Sequence, residues 1–357
     1  MEIDFADVML ETMRQGASDL HLTAGSPPLI RIRGQLQTLD TPKLTPQAVR
    51  EIVYSILTDD QRKRLENDWQ IDFAYSLPGA ARFRVNAYFQ RASIGAAFRL
   101  IPSEMPHLDS LALPPVLREF TRKPRGFVLV TGPTGSGKST TLAAMLDVIN
   151  EERHEHIMTI EDPIEFLHRH KSCIVNQREL GADAKSFGLA LKGALRQDPD
   201  VILVGEMRDL ETISTALTAA ATGHLVFATL HTQDTAQTVD RIVDVFPPEQ
   251  QQQVRVQLSV ALQGIVTQQL LPTADGKGRA VAAEILVPTP AVRNLIREGK
   301  THQIYSALQT GGATGMQTMD AALADLVRQQ KISRELAEAR SSTPDELRRL
   351  MGTVKVA

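Results

Sequence analysis

Short, continuous apolar runs alternate with helical patterns in the middle of the chain. The runs are FVLVT at 127–131, IMTIE at 157–161, VILVG at 201–205 and HLVFATL at 224–230. They are rich in β-branched residues and lack polar alternation, which is typical of parallel strands covered on both faces. TALTAAATG, before the last run, has the composition of a buried helix. We therefore predict an α/β fold with a parallel sheet over residues 125–285.

Residues 1–100 show a different pattern, in which polar and apolar positions alternate. SDLHLTAG, PLIRIRGQLQTL, ARFRVNAYFQ and IGAAFRLIP have the period of half-buried strands, and the last two indicate a hairpin. FADVMLETMRQG predicts a helix that ends at Gly16. Thr45 and Pro46 indicate a helix start, as does the capping-box spacing of Thr58 and Gln61. The pattern predicts a small α+β domain.

Two further regions complete the domain organisation. Residues 101–124 contain five prolines, which favour extended, non-regular chain, and we predict a linker here. Residues 286–357 carry helical patterns such as AVRNLIREGK and MQTMDAALADLVRQQ and predict a helical C-terminal region. In AVRNLIREGK, Val292, Leu295 and Ile296 are spaced to form the apolar side of an amphipathic surface helix.

Composition narrows the classes of function. A chain of 357 residues is longer than one hydrophobic core usually serves, so we expect two or more domains. The contents of 42% hydrophobic and 23% charged residues are usual for a globular protein. A net charge of −3 and 4% aromatic residues disfavour a nucleic-acid motor, so we expect no nucleic-acid partner. The single cysteine, Cys173, fits a reducing compartment. No secretion signal or membrane-spanning run is evident, so we expect a cytoplasmic protein.

The segment GPTGSGKS, at 132–139, has the spacing of a phosphate-binding loop. It follows a predicted strand and opens a predicted helix, the context that this motif requires. Its glycines allow backbone N–H groups to point at phosphate oxygens, and Lys138 is placed to reach the β- and γ-phosphates. Ser139 is a candidate ligand of Mg²⁺. The candidate nucleotide-binding residues are Gly132, Pro133, Thr134, Gly135, Ser136, Gly137, Lys138, Ser139 and Thr140.

VILVGEMRD, at 201–209, is a buried strand that ends in a carboxylate. Downstream of a phosphate loop, this is the place of the residue that polarises the attacking water, so Glu206 is the first candidate for the catalytic base. The aspartate usual before it is Gly205 here. A solvated glutamate at a strand end is the alternative.

Two other strand ends carry candidate residues. MTIEDPIEF places Glu161 and Glu165 after a strand, where carboxylates can orient Mg²⁺ and its waters; Glu161 is also the second candidate for the catalytic carboxylate. An ordinary turn remains the alternative. His224 and His231 flank the strand LVFATL, where a histidine can hydrogen-bond a γ-phosphate. We take His231 as a catalytic candidate and His224 as a nucleotide-binding candidate, with a local structural bond as the alternative for either.

HEH at 154–156 and HRHKSC at 168–173 also resemble parts of a metal site. A second cysteine and a spaced histidine pair are missing, so we favour a solvated surface over a metal centre built on His168, His170 and Cys173.

Together these stretches carry a resemblance. The phosphate loop, TIEDPIE, ILVGEMRD and GHLVFATLHT resemble the Walker A, Asp-box, Walker B and His-box set of the type II/IV secretion ATPase superfamily. ASDLHL and AVRNLIREGKTHQIYS are similar to the retraction ATPases of type IV pili within it. The resemblance runs from Asp19 to about Tyr305. In that superfamily a glycine at the position of Gly205 is usual.

The resemblance implies a RecA-like ATPase domain, preceded by a PAS-like domain, in a homohexameric motor that hydrolyses ATP with Mg²⁺. It implies that N-terminal arginines, here Arg84 and Arg99, approach the nucleotide phosphates, where a guanidinium can stabilise developing charge. It also implies an inner-membrane pilus platform protein as partner, contact with the membrane only through that partner, and a possible paralogous retraction ATPase. AVRNLIREGK becomes a candidate coupling surface.

Three alternatives stay open. An accessory retraction ATPase would carry the same motifs. An assembly or secretion ATPase of the superfamily is less consistent, because those usually carry a four-cysteine zinc insertion and this chain has one cysteine. From another class, a non-hydrolysing module that binds ATP as a signal would not need Glu206 or the two arginines.

Overall fold

The chain forms two compact units in a computed structural model that describes residues 4–77, 81–101 and 104–352. One unit comprises Met1–Glu104 with Glu165–Leu167, and the other comprises Met105–Ile164 with His168–Ala357. Among the described residues, no helix combines the length and the apolar character needed to span a bilayer.

The first unit is an antiparallel sheet with three helices. The strands are β1 (Asp19–Leu22), β2 (Leu29–Ile32), β3 (Gln35–Thr38), β4 (Gln70–Leu77), β5 (Ala81–Gln90) and β6 (Ser93–Ile101). The helices are α1 (Phe5–Arg14), α2 (Pro46–Ser55) and α3 (Asp59–Asp68). The strand order is β3-β2-β1-β6-β5-β4, with every pair antiparallel. The predicted hairpin and α+β character are confirmed.

The predicted helix starts in this unit are also confirmed. Thr45 caps α2 by accepting a bond from Ala48 N at 3.1 Å, and Pro46 is its first residue. Thr58 and Gln61 form a reciprocal capping box at α3. Each cap satisfies backbone N–H groups that have no partner within the helix.

The second unit contains a seven-stranded sheet. Its strands are β7 (Gly126–Thr131), β8 (His156–Glu161), β9 (Ile174–Glu179), β10 (Val201–Val204), β11 (Leu225–Leu230), β12 (Leu262–Pro272) and β13 (Arg279–Leu286). The order is β13-β12-β7-β11-β10-β8-β9, and only the β12–β13 pair is antiparallel. The carboxyl ends of β7, β11, β10 and β8 therefore lie along one edge.

Helices cover both faces of this sheet. They are α4 (Val116–Thr121), α5 (Lys138–Glu152), α6 (Phe187–Ala194), α7 (Leu210–Ala221), α8 (Thr235–Asp244), α9 (Pro248–Ala261), α10 (Pro290–Arg297), α11 (Ile304–Thr310), α12 (Met319–Arg328), α13 (Arg334–Arg340) and α14 (Pro344–Met351). Along β7, Phe127 and Leu129 belong to one buried cluster and Val128 and Val130 to another. Burial on both faces of the sheet explains why its strands are continuously apolar. The predicted parallel α/β fold and the predicted helical C-terminal region are confirmed.

The prediction of non-regular chain through residues 101–124 is wrong in part. A 3₁₀ helix spans Leu108–Leu111, and α4 lies in the same segment. Leu108, Leu117 and Phe120 are buried in a core cluster of the second unit. The prolines do not prevent these helices from forming. Pro114 and Pro115 lie just before α4, where the N–H that proline lacks would have no partner within the helix.

Candidate functional site

The predicted phosphate loop connects β7 to α5, as its spacing requires. Gly132, Gly135 and Gly137 have φ of 136°, 80° and 90°, and α5 begins directly after Gly137. Lys138 Nζ donates to Gly132 O at 2.8 Å and to Pro133 O at 3.1 Å. Pro133, Thr134 and Gly135 form the exposed outer arc, and Ser136 is buried beneath it. The nine candidate residues from Gly132 to Thr140 thus form one continuous cradle at a helix N-terminus.

Gly132 cannot be replaced by a larger residue without moving the loop. A Cβ there would lie 2.3 Å from Gln268 O and 2.7 Å from Ser136 Oγ. Ser136 Oγ and Gln268 Oε1 are themselves buried and have no hydrogen-bond partner among the described residues. A tight backbone turn with polar groups beneath it fits a bound phosphate chain.

A cavity of about 660 Å³ opens beside this loop. Ser136, Gly137 and Thr140 line one side, and Leu113, Leu270 and Val281 contribute apolar surface. Its volume and mixed lining suit a small polar ligand with an aromatic ring. The loop and the cavity together fit a nucleotide.

Glu206 lies on the loop after β10, where its carboxylate contacts the side chains of Arg208 and His231. Arg208 forms a bidentate contact with the carboxylate: Nε donates to Oε1 at 2.5 Å and Nη2 donates to Oε2 at 2.7 Å. His231, which follows β11, places Nε2 2.9 Å from Oε1. The two residues predicted from separate motifs therefore meet at the edge that also carries the phosphate loop.

The pKa of Glu206 lies below its ordinary value. Burial opposes ionisation and would raise the pKa, but the hydrogen bonds and charges of Arg208 and His231 outweigh it. Glu206 is therefore a carboxylate at neutral pH, the form that can accept a proton from water.

Gly205 explains why a second carboxylate is missing before Glu206. Its N–H donates to Ile160 O at 2.8 Å, and a Cβ there would lie 3.0 Å from that oxygen and 3.1 Å from Glu161 Cα. The ends of β10 and β8 therefore pack closely here, and a side chain at this position would have to displace backbone atoms by a few tenths of an ångström.

Glu161 ends β8 at the same edge. Its Oε1 accepts bonds from Thr159 Oγ1 at 2.6 Å and from Gln177 Nε2 at 3.1 Å. Glu165 is exposed and belongs to the first unit, and its role as a magnesium ligand stays a prediction. Within the described chain, no three His, Cys, Asp or Glu side chains are grouped to hold a metal. The predicted magnesium ligands Ser139 and Glu161 stay predictions, and Mg²⁺ usually takes waters and substrate phosphate oxygens beside one or two protein ligands.

The predicted contact of His224 with a nucleotide stays a prediction, and its position does not favour contact with the nucleotide that this chain's own loop would hold. His224 precedes β11, whereas the phosphate loop lies beyond the strand's other end, about 20 Å away at the usual rise per residue. His224 Nδ1 lies 3.1 Å from Ala219 O near the end of α7. This contact is the local structural bond that the sequence analysis gave as the alternative.

Arg84 and Arg99 lie directly opposite each other on β5 and β6 of the first unit. Both are exposed, and Arg99 Nε donates to Asp19 Oδ1 at 2.9 Å. Like charges in direct cross-strand register are unfavourable, and an anion bound between them would relieve the repulsion. Their approach to a nucleotide stays a prediction.

The second histidine cluster, HRHKSC, is mostly exposed, as predicted, but its two ends are not. Cys173 is buried, and burial lowers the pKa of His168 to about 4, an effect that the charge of Asp147 opposes and that of Lys171 reinforces. His170 Nδ1 accepts from Val175 N at 3.0 Å. The segment packs against α5 through Lys171, whose Nζ donates to Asp147 at 2.9 Å.

Sequence reasoning missed Arg208 and Gln268. The sequence signal for Arg208 was its position two residues after Glu206, at the same end of one short apolar strand. Gln268 lies on β12, a strand that was not predicted, and no local motif connects it with the loop.

A mostly parallel sheet with a phosphate loop after β7 and a carboxylate after β10 defines a P-loop nucleotide-binding protein. The chain belongs to the type II/IV secretion system protein family, whose model matches residues 1–351.

Individual relatives agree with this family. The Pseudomonas aeruginosa protein described as type IV pilus retractation ATPase PilT is 53% identical over 343 residues, which are 96% of this chain and 99% of the relative. Type IV pilus ATPase PilU of the same organism is 42% identical over 346 residues, 97% of this chain and 91% of the relative. A crystal structure of the pilus retraction motor PilT with bound ADP superposes with a TM-score of 0.92 and 51% identity, covering 98% of this chain and all of the other (100%). The expected superfamily and its RecA-like fold class are confirmed.

Proposed function

We propose that this chain is the ATP-hydrolysing motor of type IV pilus retraction. The observation that carries hydrolysis is the meeting of Glu206 and His231 at the sheet edge that holds the phosphate loop. The pilus assignment is supported by 53% identity to a retraction ATPase over nearly the whole of both chains.

Each residue then has a chemical role. The N–H groups of the loop and Lys138 hold the β- and γ-phosphates. Glu206 accepts the proton of the attacking water, and His231 keeps Glu206 Oε1 directed along the edge. Mg²⁺, when bound through Ser139 and oriented from the Glu161 side, supplies positive charge to the phosphate oxygens.

The assembly completes the proposal. We place six copies in a ring, with Arg84 and Arg99 supplying positive charge to the reacting phosphate. The ring acts at the cytoplasmic face of the inner membrane on a pilus platform protein, and it contacts the membrane only through that partner. AVRNLIREGK is the proposed coupling surface, because Val292 and Ile296 anchor α10 in the core while Asn294 and Arg297 remain exposed.

Steady-state ATP hydrolysis by the purified chain tests the enzyme proposal. Glu206→Ala removes the proposed base and is expected to lower kcat by about 10²–10⁴-fold while light scattering shows an unchanged assembly. Glu346→Ala is the matched control, because Glu346 has the same 20% side-chain exposure and also pairs with an arginine. Nucleotide binding without turnover by the wild type would instead favour the ATP-sensing module.

A cellular test separates the retraction motor from an accessory retraction ATPase, the alternative for which the 42% identical relative PilU is a reference. The chain is expressed in a twitching bacterium that lacks both of its own retraction ATPases. We expect restored twitching and retraction from this chain alone. Restoration only when a second retraction ATPase is supplied would assign the accessory role.

A further inference from the structure

The loop from Gly205 to Asp209 is anchored at alternate residues. Met207 is buried, and its N–H donates to Thr229 O at 3.3 Å. Asp209 caps α7 by accepting from Thr212 N and Thr212 Oγ1, both at 2.8 Å. The intervening Glu206 and Arg208 therefore project together from a backbone that is fixed on either side.

Arg208 binds Glu206 in a fork geometry. Nε and Nη2 reach different carboxylate oxygens at 2.5 and 2.7 Å, while His231 Nε2 contacts Oε1. A carboxylate has about four lone-pair directions, two on each oxygen. Arg208 and His231 together use three of them, so one direction on Oε2 remains for another donor.

The Arg208–Glu206 pair adds little to the fold. The Arg208 side chain is 77% exposed, and its partner is only two residues away. Exposed local pairs of this kind contribute little to stability. The other carboxylate whose charge acts on Arg208 is Asp162, in the loop after β8. Arg208 thus lies among the acidic groups at the edge of the sheet.

We propose that Arg208 is a positioning residue for Glu206: it fixes the carboxylate so that the remaining lone pair of Oε2 faces the attacking water. This inference rests on the proposed hydrolysis of ATP and adds to it the residue that orients the base. Arg208 acts through Glu206 and does not itself bind the phosphates. A lysine cannot replace it fully, because an ammonium is a point charge without the two-armed geometry.

The test compares the full-length wild type with Arg208→Ala and Arg208→Lys. ATP is titrated in steady-state assays, ADP affinity is measured by calorimetry, and light scattering checks the assembly. A misdirected base is expected to lower kcat of Arg208→Ala about 10- to 100-fold, with KM and ADP affinity within about threefold of wild type. Arg208→Lys is expected to stay nearer to the alanine variant than to wild type.

Arg349→Ala is the matched control. Arg349 has 74% side-chain exposure, and its partner Glu346 has 20%, against 77% and 20% for Arg208 and Glu206. This control is expected to keep wild-type kcat. A double variant, Glu206→Ala with Arg208→Ala, is expected to be no slower than Glu206→Ala alone, because a positioning residue has no role once its base is gone.

Three results would overturn the inference while leaving ATP hydrolysis intact. An unchanged or higher kcat for Arg208→Ala would show that Arg208 does not orient the base. A rise in KM that matches the fall in kcat would make it a nucleotide-binding residue. An additive loss in the double variant would show an action independent of Glu206. Absence of turnover by the wild type would instead overturn the proposed function itself, and this inference with it.

Discussion

At the scale of single residues, His168 is a half-buried histidine whose Nδ1 is shielded from solvent, and its surroundings keep it neutral. Burial is the main cause of its low pKa of about 4, against about 6.5 in an unfolded chain. The unfolded chain binds the proton more tightly, so the stabilisation is complete above about pH 6.5 and is lost as pH falls through about 4. We expect His168→Gln to remove this dependence, because glutamine does not titrate.

Urea unfolding at pH 7 and pH 5 measures the effect. At about 1.4 kcal/mol per pH unit, the wild type is expected to lose about 2 kcal/mol more than His168→Gln between the two pH values. His154→Gln, an exposed neighbour in the same region, is the control and should follow the wild type. Equal losses in all three proteins would contradict the prediction.

Most residues of the candidate site could be predicted because their chemistry is local in sequence. The phosphate loop, Glu206 and His231 each follow an apolar strand, and parallel strands bring such ends together. By the same rule, His224 lies away from the phosphate loop, because His224 precedes β11 and so lies at the amino end of a strand that is parallel to β7. The burial of Cys173 and the partial burial of His168 were missed because they depend on packing against α5, which no local pattern shows.

At the scale of elements, the contact between α9 and α10 depends on Arg293. Its guanidinium donates to Ser259 O and Val260 O, among the last carbonyls of α9, the latter at 2.9 Å. Burial lowers the pKa of Arg293, yet charged donors at a helix C-terminus are favourable. Arg293→Ala is expected to cost about 1.5–3 kcal/mol and to lower Tm by several degrees in calorimetry.

Arg297→Ala provides the comparison on the same helix. Arg297 is exposed, and only its backbone carbonyl is bonded to α9, through Gln252 Nε2 at 3.1 Å. Its Tm should stay close to that of the wild type. A Tm for Arg293→Ala that also matches the wild type would rule out the capping role.

The elements that sequence patterns missed share a physical feature. β12 and β13 form an antiparallel pair at the sheet edge, with a polar stretch of β12, around Gln268, facing the phosphate loop. Their mixed composition hides the strand period, whereas the central strands are uniformly apolar. Helix α4 was missed for another reason. Pro114 and Pro115, just before it, favour irregular chain, whereas Leu117 and Phe120 within it are buried in the core.

At the scale of the whole molecule, the candidate chemistry is divided between the two units. The phosphate loop and Glu206 belong to the second unit, while Arg84 and Arg99 belong to the first. A head-to-tail ring lets one subunit complete the site of the next. Hydrolysis that needs both units is then sensitive to their movement, as a motor requires.

This division predicts complementation between two inactive variants. Glu206→Ala and a double variant, Arg84→Ala with Arg99→Ala, are each expected to lose turnover. When the two are mixed in equal amounts and reassembled, about one quarter of the interfaces in a random ring combine an intact Glu206 with intact arginines from the neighbour. Steady-state hydrolysis should therefore recover in the mixture to a clear fraction of the wild-type rate. A mixture as inactive as its components would mean that the arginines serve the nucleotide of their own chain, since no subunit in it carries both intact sets.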